Sequence, residues 1–145
     1  IYWNDPDTGE LCRIRPDFLR HDGWIVDLKS CTDASPDAFA KSIANWRYHV
    51  QAAYYTDGAN HAAEQSGKDL KIKGFLFIAV EKDACIVNGQ AKGVAVYTLE
   101  EESLELGRLE YRNDLNKLVE CQNTGEWPGY SPKVIKLSLP TWANK

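Results

Sequence analysis

ELCRIRPDFLRHDGWIVDLK, residues 10–29, reads as two short strands joined at His21-Asp22-Gly23, because Asp-Gly is a strong hairpin signal. Side chains alternate faces along a strand. Arg13, Arg15 and Asp17 therefore share one face of the first strand, with Cys12 and Ile14 on the other. In the second strand Ile25, Asp27 and Lys29 share a face, and Trp24, Val26 and Leu28 point away. Two carboxylates and one amine, Asp17, Asp27 and Lys29, can then meet across a hairpin at the end of a sheet. Charges embedded in apolar strands are costly unless paired or bound to a metal. Two acids beside one lysine suit a hard divalent cation with oxygen ligands. The expectation is a magnesium site for phosphodiester hydrolysis. The rival is an Asp–Lys ion pair that only stabilises the hairpin, and the surplus acid counts against it.

Residues 1–9 (IYWNDPDTG) begin apolar and end in turn chemistry at Asp5-Pro6 and Thr8-Gly9. They are expected to form a strand that hairpins onto the catalytic pair. After a polar loop at residues 30–34, Ser35 can cap a helix, Pro36 suits its first position and Asp37 complements its positive end. The spacing of Phe39, Ile43, Trp46, Val50 and Ala53/Tyr54 predicts an amphipathic helix from about Pro36 to about Asp57. Arg47, Gln51 and Tyr55 form a second row beside that stripe. Periodicity leaves two readings open for this row, a solvated flank or the edge of a cleft.

Residues 58–69 read as a helix end and loop, and His61 there receives no role. IKGFLFIAV, residues 72–80, is a central strand ended by Glu81-Lys82-Asp83, and KGVAVYT, residues 92–98, is another after the turn at Asn88-Gly89. Thr98-Leu99-Glu100-Glu101 reads as a capping box for a helix to about Cys121. That helix would bury Leu104, Tyr111, Leu115, Leu118 and Val119. The tail holding Trp127, Tyr130 and Trp142 is expected to be irregular and pinned against the sheet by its aromatics. Strands, helix, strands and helix in that order give an α/β fold, a mixed β-sheet flanked by helices.

With 145 residues, 43% hydrophobic and 11% aromatic, the chain is globular and long enough to bury a core. A net charge of −4 argues against a broad non-specific nucleic-acid surface, while leaving room for a locally basic channel. No apolar run reaches the roughly 18 residues of a membrane span. Cys12, Cys31, Cys85 and Cys121 are widely spaced, so reduced thiols are expected rather than a disulfide framework or zinc site.

Pro16-Asp17 followed by Asp27-Leu28-Lys29 resembles the PD-(D/E)XK motif of the restriction-endonuclease-like nuclease superfamily. Gln51-Ala52-Ala53-Tyr54-Tyr55 resembles the QxxxY element of its RecB-type and phage-type exonuclease branch. Nearly the whole chain, including IRPDFLR, VDLKS, ASPDAFAKSIANWRYHVQAAYY, WPGY and LPTW, is similar to the RecE-type (exonuclease VIII) nuclease domain family. That resemblance implies a restriction-endonuclease-like fold and a metal-dependent 5′→3′ exodeoxyribonuclease. Its substrate would be the ends of linear double-stranded DNA in homologous recombination, with 3′ single-stranded tails as product. Asp17 and Asp27 would hold Mg2+, or Mn2+ in its place, with the Leu28 carbonyl as a ligand by its position in the motif. Lys29 would position the attacking water, Gln51 would lie near the scissile phosphate with Tyr55 supporting it, and Arg47 would contact the DNA backbone. A cytoplasmic location, a ring-like homo-oligomer and a single-strand annealing partner of the RecT type are also implied, and no membrane. The family's upstream helix, with a further acid or histidine, has no match in Ile1–Gly9. The chain is therefore expected to be a trimmed single domain, 1–145, without that helix. The iron–sulfur cluster of some RecB relatives is not supported by the cysteine spacing. Two alternatives stand beside the exonuclease: another PD-(D/E)XK endonuclease, or a non-catalytic DNA-binding or assembly module that keeps the fold.

Overall fold

A computed structural model describes residues 1–131 and 133–143 of the chain. Two sheets organise it. β1 (Tyr2–Asn4) and β2 (Leu11–Arg13) form a two-stranded antiparallel ribbon. β3 (Phe18–Leu19), β4 (Trp24–Cys31), β5 (Gly74–Val87) and β6 (Gln90–Tyr97) form a four-stranded sheet in that order. The central β4–β5 pair is parallel and both outer pairs are antiparallel, so the sheet is mixed. A parallel pair needs a crossover connection, and α1 (Pro36–Asn45) with α2 (Tyr48–Gln65) supplies it. α3 (Glu101–Thr124) follows β6 and packs on α2.

The stretch 10–29 departs from the continuous hairpin expected of it. Leu11–Arg13 pairs with β1 in a separate sheet, and the ladder onto β4 starts only at Phe18↔Val26. Pro16 supplies the reason, since proline has no N–H for a ladder. β1 hairpins onto β2 alone. The Asp22-Gly23 turn does form, with Gly23 at φ 90°. A Cβ at Gly23 would lie 2.4 Å from the Lys71 carbonyl oxygen, so the turn has room for glycine only.

The predicted helix from Pro36 to Asp57 is two helices. Arg47 adopts a left-handed conformation, φ 54° and ψ 39°, which ends α1 and starts α2 in a new direction. That conformation is costly for a residue with a side chain. It is offset by two ion pairs from Arg47 to α3, with Glu110 at 2.9 Å and Asp114 at 2.8 Å. The break turns Trp46 out of the stripe to 70% exposure. α2 then continues past Asp57 to Gln65, burying Ala52, Ala53, Ala59 and Ala63. These small residues admit close neighbours. A Cβ on Gly107 of α3 would lie 2.4 Å from the His49 carbonyl oxygen, so the two helices cross almost in backbone contact.

Alternation along the sheet places Ile25 and Asp27 of β4, and Phe75, Phe77 and Ala79 of β5, on the buried, helix-facing side. Phe39 of α1 stacks on Tyr97 at 5.0 Å and meets Phe77 edge-on at 6.0 Å. The opposite face carries Phe18, Leu28, Val94 and Val96, all exposed. β5 does not end at Glu81; it runs on to Val87 through an irregularity between Val80 and Cys85. Glu81 accepts the Ala34 N–H at 2.9 Å, and that bond ties the strand to the approach of α1. The expected caps use other bonds. Neither Ser35 nor the residue before α3 makes a side-chain cap, and Thr98 Oγ1 donates instead to the Phe75 carbonyl at 3.1 Å. Leu118 is exposed rather than buried. The tail is not pinned to the sheet: Trp127, Tyr130, Leu137, Leu139 and Trp142 are all exposed. Among the described residues all four cysteines are free, and no helix is long and apolar enough to cross a membrane.

Candidate active site

Asp27 lies mid-strand in β4 and is only 4% exposed, which is unusual for a carboxylate. Its surroundings are built by the crossover, which lays α2 across the helix-facing side of the sheet. Gln51 of α2 bridges the pair on β4. Its Nε2 donates to Asp27 Oδ1 at 2.7 Å, and its Oε1 accepts from Lys29 Nζ at 2.7 Å. Lys29 Nζ also lies 2.7 Å from Asp27 Oδ2, and 4.3 Å from the centre of the Tyr48 ring. The ammonium is thus held by an acid, an amide and an aromatic face. Asp17 stands where the β3–β4 ladder, continued by one residue, would oppose Asp27. Its Oδ2 accepts the Leu28 N–H at 2.9 Å.

The register sets three oxygen functions next to one another at this end of the ladder. Asp27 Oδ2 is buried and accepts no hydrogen bond; the nearby ammonium is close in distance but not aligned to donate. Asp17 is exposed, with one oxygen engaged by the backbone. The third is the Leu28 carbonyl. The Arg20 N–H bonds the Trp24 carbonyl at 2.9 Å, so the even residues of β4 turn their backbone groups toward β3. Opposite Leu28 the register reaches Pro16, which has no N–H to give. Among the described residues no three His, Cys, Asp or Glu side chains gather into a metal site; here two carboxylates are joined by a backbone oxygen. A buried carboxylate oxygen met only by the Lys29 ammonium, a second acid and a carbonyl with no ladder donor opposite it form a hard donor set that fits a divalent cation such as magnesium.

Asp17, Asp27, Leu28, Lys29 and Gln51 are therefore brought together. Tyr55 lies one helical turn beyond Gln51 and meets Phe75 edge-on at 6.1 Å. Arg47 is not delivered to the cluster, because its guanidinium is held by Glu110 and Asp114 of α3. Sequence reasoning missed Tyr48, although its place three residues before Gln51 on one helix was a usable signal. It also missed the pairing of His49 Nε2 with Glu110 Oε1 at 3.2 Å. His49 first, and Arg47 with it, hydrogen-bond Glu110 and hold its carboxyl below the usual glutamate range.

Residues 1–137 match the model of a PDDEXK-like domain of unknown function, DUF3799. The chain belongs to this family. Membership places it in the PD-(D/E)XK superfamily, whose nucleases generally use divalent metal ions. The fold is similar to the crystal structure of a candidate exonuclease from Eubacterium rectale. The TM-score is 0.57 at 14% identity, covering 99% of this chain and 55% of that one. The chain thus spans about half the length of that protein, and at this identity the likeness is one of fold. It bears out the mixed sheet flanked by helices. No curated protein matches the sequence.

Proposed function

We propose that this domain is a metal-dependent exodeoxyribonuclease acting on the ends of linear double-stranded DNA, of the RecE type, trimming 5′→3′. The observation that carries the reading is the buried Asp27 carboxylate, one oxygen of which has only the Lys29 ammonium for a partner and no hydrogen bond, with Asp17 next to it in the register, inside a PDDEXK-like family domain. Asp17, Asp27 and the Leu28 carbonyl would hold the cation, magnesium with manganese as substitute, which would supply charge neutralisation and an activated water. Lys29 positions that water and offsets the negative charge that builds on the phosphoryl oxygens. Gln51 fixes both Asp27 and Lys29 through its two amide atoms and so sets their spacing. Tyr55 extends the substrate path along α2. Arg47 reaches a DNA backbone only if DNA displaces its α3 partners. Single-domain organisation, a ring of copies around DNA, a RecT-type annealing partner and a cytoplasmic setting complete the proposal.

The test compares linear 5′-phosphorylated duplex with covalently closed circular DNA, each with magnesium and with chelator. Degradation of the linear duplex alone, from its 5′ ends and only with metal, supports the reading. Cleavage of the circle would make the domain an endonuclease. Metal-independent DNA binding without cleavage would make it a binding module.

A further inference from the structure

Six arginines occur in the sequence. Four are tied to acids: Arg20 to Asp22, Arg47 to Glu110 and Asp114, Arg108 to Asp57, Glu101 and Glu105, and Arg112 to Asp5 and Asp7. Arg13 and Arg15 form no ion pair among the described residues, although acids outnumber bases 21 to 17 in the chain. The two lie on one side of their segment, because the intervening Ile14 and the preceding Cys12 are buried. Both line a single cavity of about 490 Å³. Its other walls are Ile1, Ile14, Tyr2, the cross-strand neighbour of Arg13, and Tyr55 of α2.

The cavity adjoins the proposed cleavage site on two counts. Arg15 precedes Asp17 by two residues, and Tyr55 follows Gln51 by one turn, about 5.4 Å along the helix. We propose that Arg13 and Arg15, with Tyr55 as an aromatic wall, form a subsite for a phosphate of the DNA strand running past Asp17. Unpaired guanidiniums at the rim of a cleft are the usual partners of a phosphate diester or monoester. In a chain of net negative charge they make one locally basic track. The inference rests on the DNA-processing reading, and its test is a binding measurement that needs no cleavage.

The full chain and the double variant Arg13→Ala/Arg15→Ala are titrated with fluorescent duplex DNA over a range of salt, with calcium in place of magnesium. One duplex carries 5′-phosphates and the other 5′-hydroxyls. Arg20→Ala serves as a control for an exposed arginine that is already paired, and melting curves confirm folding. The subsite predicts that the double variant weakens Kd by about 10-fold or more near 0.1 M salt and lowers the salt slope by about 2. Arg13→Lys/Arg15→Lys would keep the slope. A loss confined to the phosphorylated duplex would identify a terminal phosphate; an equal loss on both would identify an interior one. A folded double variant with wild-type Kd and slope on both duplexes overturns the inference, even if the protein cuts DNA. Conversely, the predicted loss in a protein that never cuts leaves the subsite standing while the nuclease reading fails.

Discussion

Two charged regions flank α2, and they differ in what they leave over. Along the α2–α3 seam and the β1–β2 turn, acids and arginines close on one another. Asp5 takes bonds from Thr8 at 3.0 and 2.8 Å and from Arg112 at 2.6 Å. Asp57 accepts the Tyr111 hydroxyl at 2.7 Å and the Arg108 guanidinium at 3.3 Å. At the other end Asp27 pairs with Lys29 while Asp17 meets only a backbone N–H, one carboxylate oxygen is buried without a hydrogen bond, and the register sets a proline opposite Leu28. A closed cluster reads as architecture, since its buried acids all have hydrogen-bond partners. An open one keeps its charge for something from outside. The difference lies in completeness of pairing, because both regions are rich in acids.

The sharpest way to break that contrast is Asp17→Ala. The residue is exposed and makes one backbone contact, so melting should change little. Metal-dependent DNA cleavage should fall about 10³-fold, or roughly 4 kcal/mol of transition-state stabilisation. Asp5→Ala should do the opposite. It leaves the Thr8 groups without their acceptor and Arg112 with only the exposed Asp7 at 3.1 Å, and is expected to lower stability by about 3 kcal/mol and Tm by about 10 °C. Cleavage measured below that Tm should persist. Gln51→Ala sits between them, since it contacts both catalytic groups without supplying charge. A loss of about 10–100-fold in kcat/KM, with a small change in Tm, is the expected result.

Acid separates the regions more gently. Burial alone would raise the Asp5 carboxyl, but hydrogen bonds from Thr8 and Arg112 outweigh it and hold the group below its ordinary 3.8. A group lowered in the folded state contributes stability that is full above its unfolded value and is lost as pH falls through the folded one. Melting followed from about pH 5 to pH 2 should therefore decline, and Asp5→Asn should flatten that decline.

Much of this was legible in the chain. The alternation of Ile25, Asp27 and Lys29 against Trp24, Val26 and Leu28 is a local property, and the structure keeps it. So is the Asp22-Gly23 turn. The break after Arg13 was partly legible, because Pro16 announces a missing donor, but periodicity carried the reading through it. The break at Arg47 was not legible. The 3.6-residue pattern runs straight across it, and the acids that stabilise its left-handed backbone lie 63 and 67 residues away. The same distance hid the engagement of Arg47, which local spacing placed in a row with Gln51 and Tyr55. The aromatic tail invited a packing that the structure does not make, because composition alone does not specify a partner surface.

On the proposed function, the Asp27 carboxylate serves a bound cation rather than the fold. Asp27→Asn tests it most directly, by melting in the presence and absence of magnesium and by cleavage of linear duplex DNA. The expected Asp27→Asn variant stays folded with a Tm lowered by no more than the loss of its Lys29 pair, shows no further rise in Tm on adding magnesium, and has no metal-dependent cleavage. A variant that loses many degrees of Tm yet still cuts DNA with magnesium would contradict it, and would return Asp27 and Lys29 to the role of a structural ion pair.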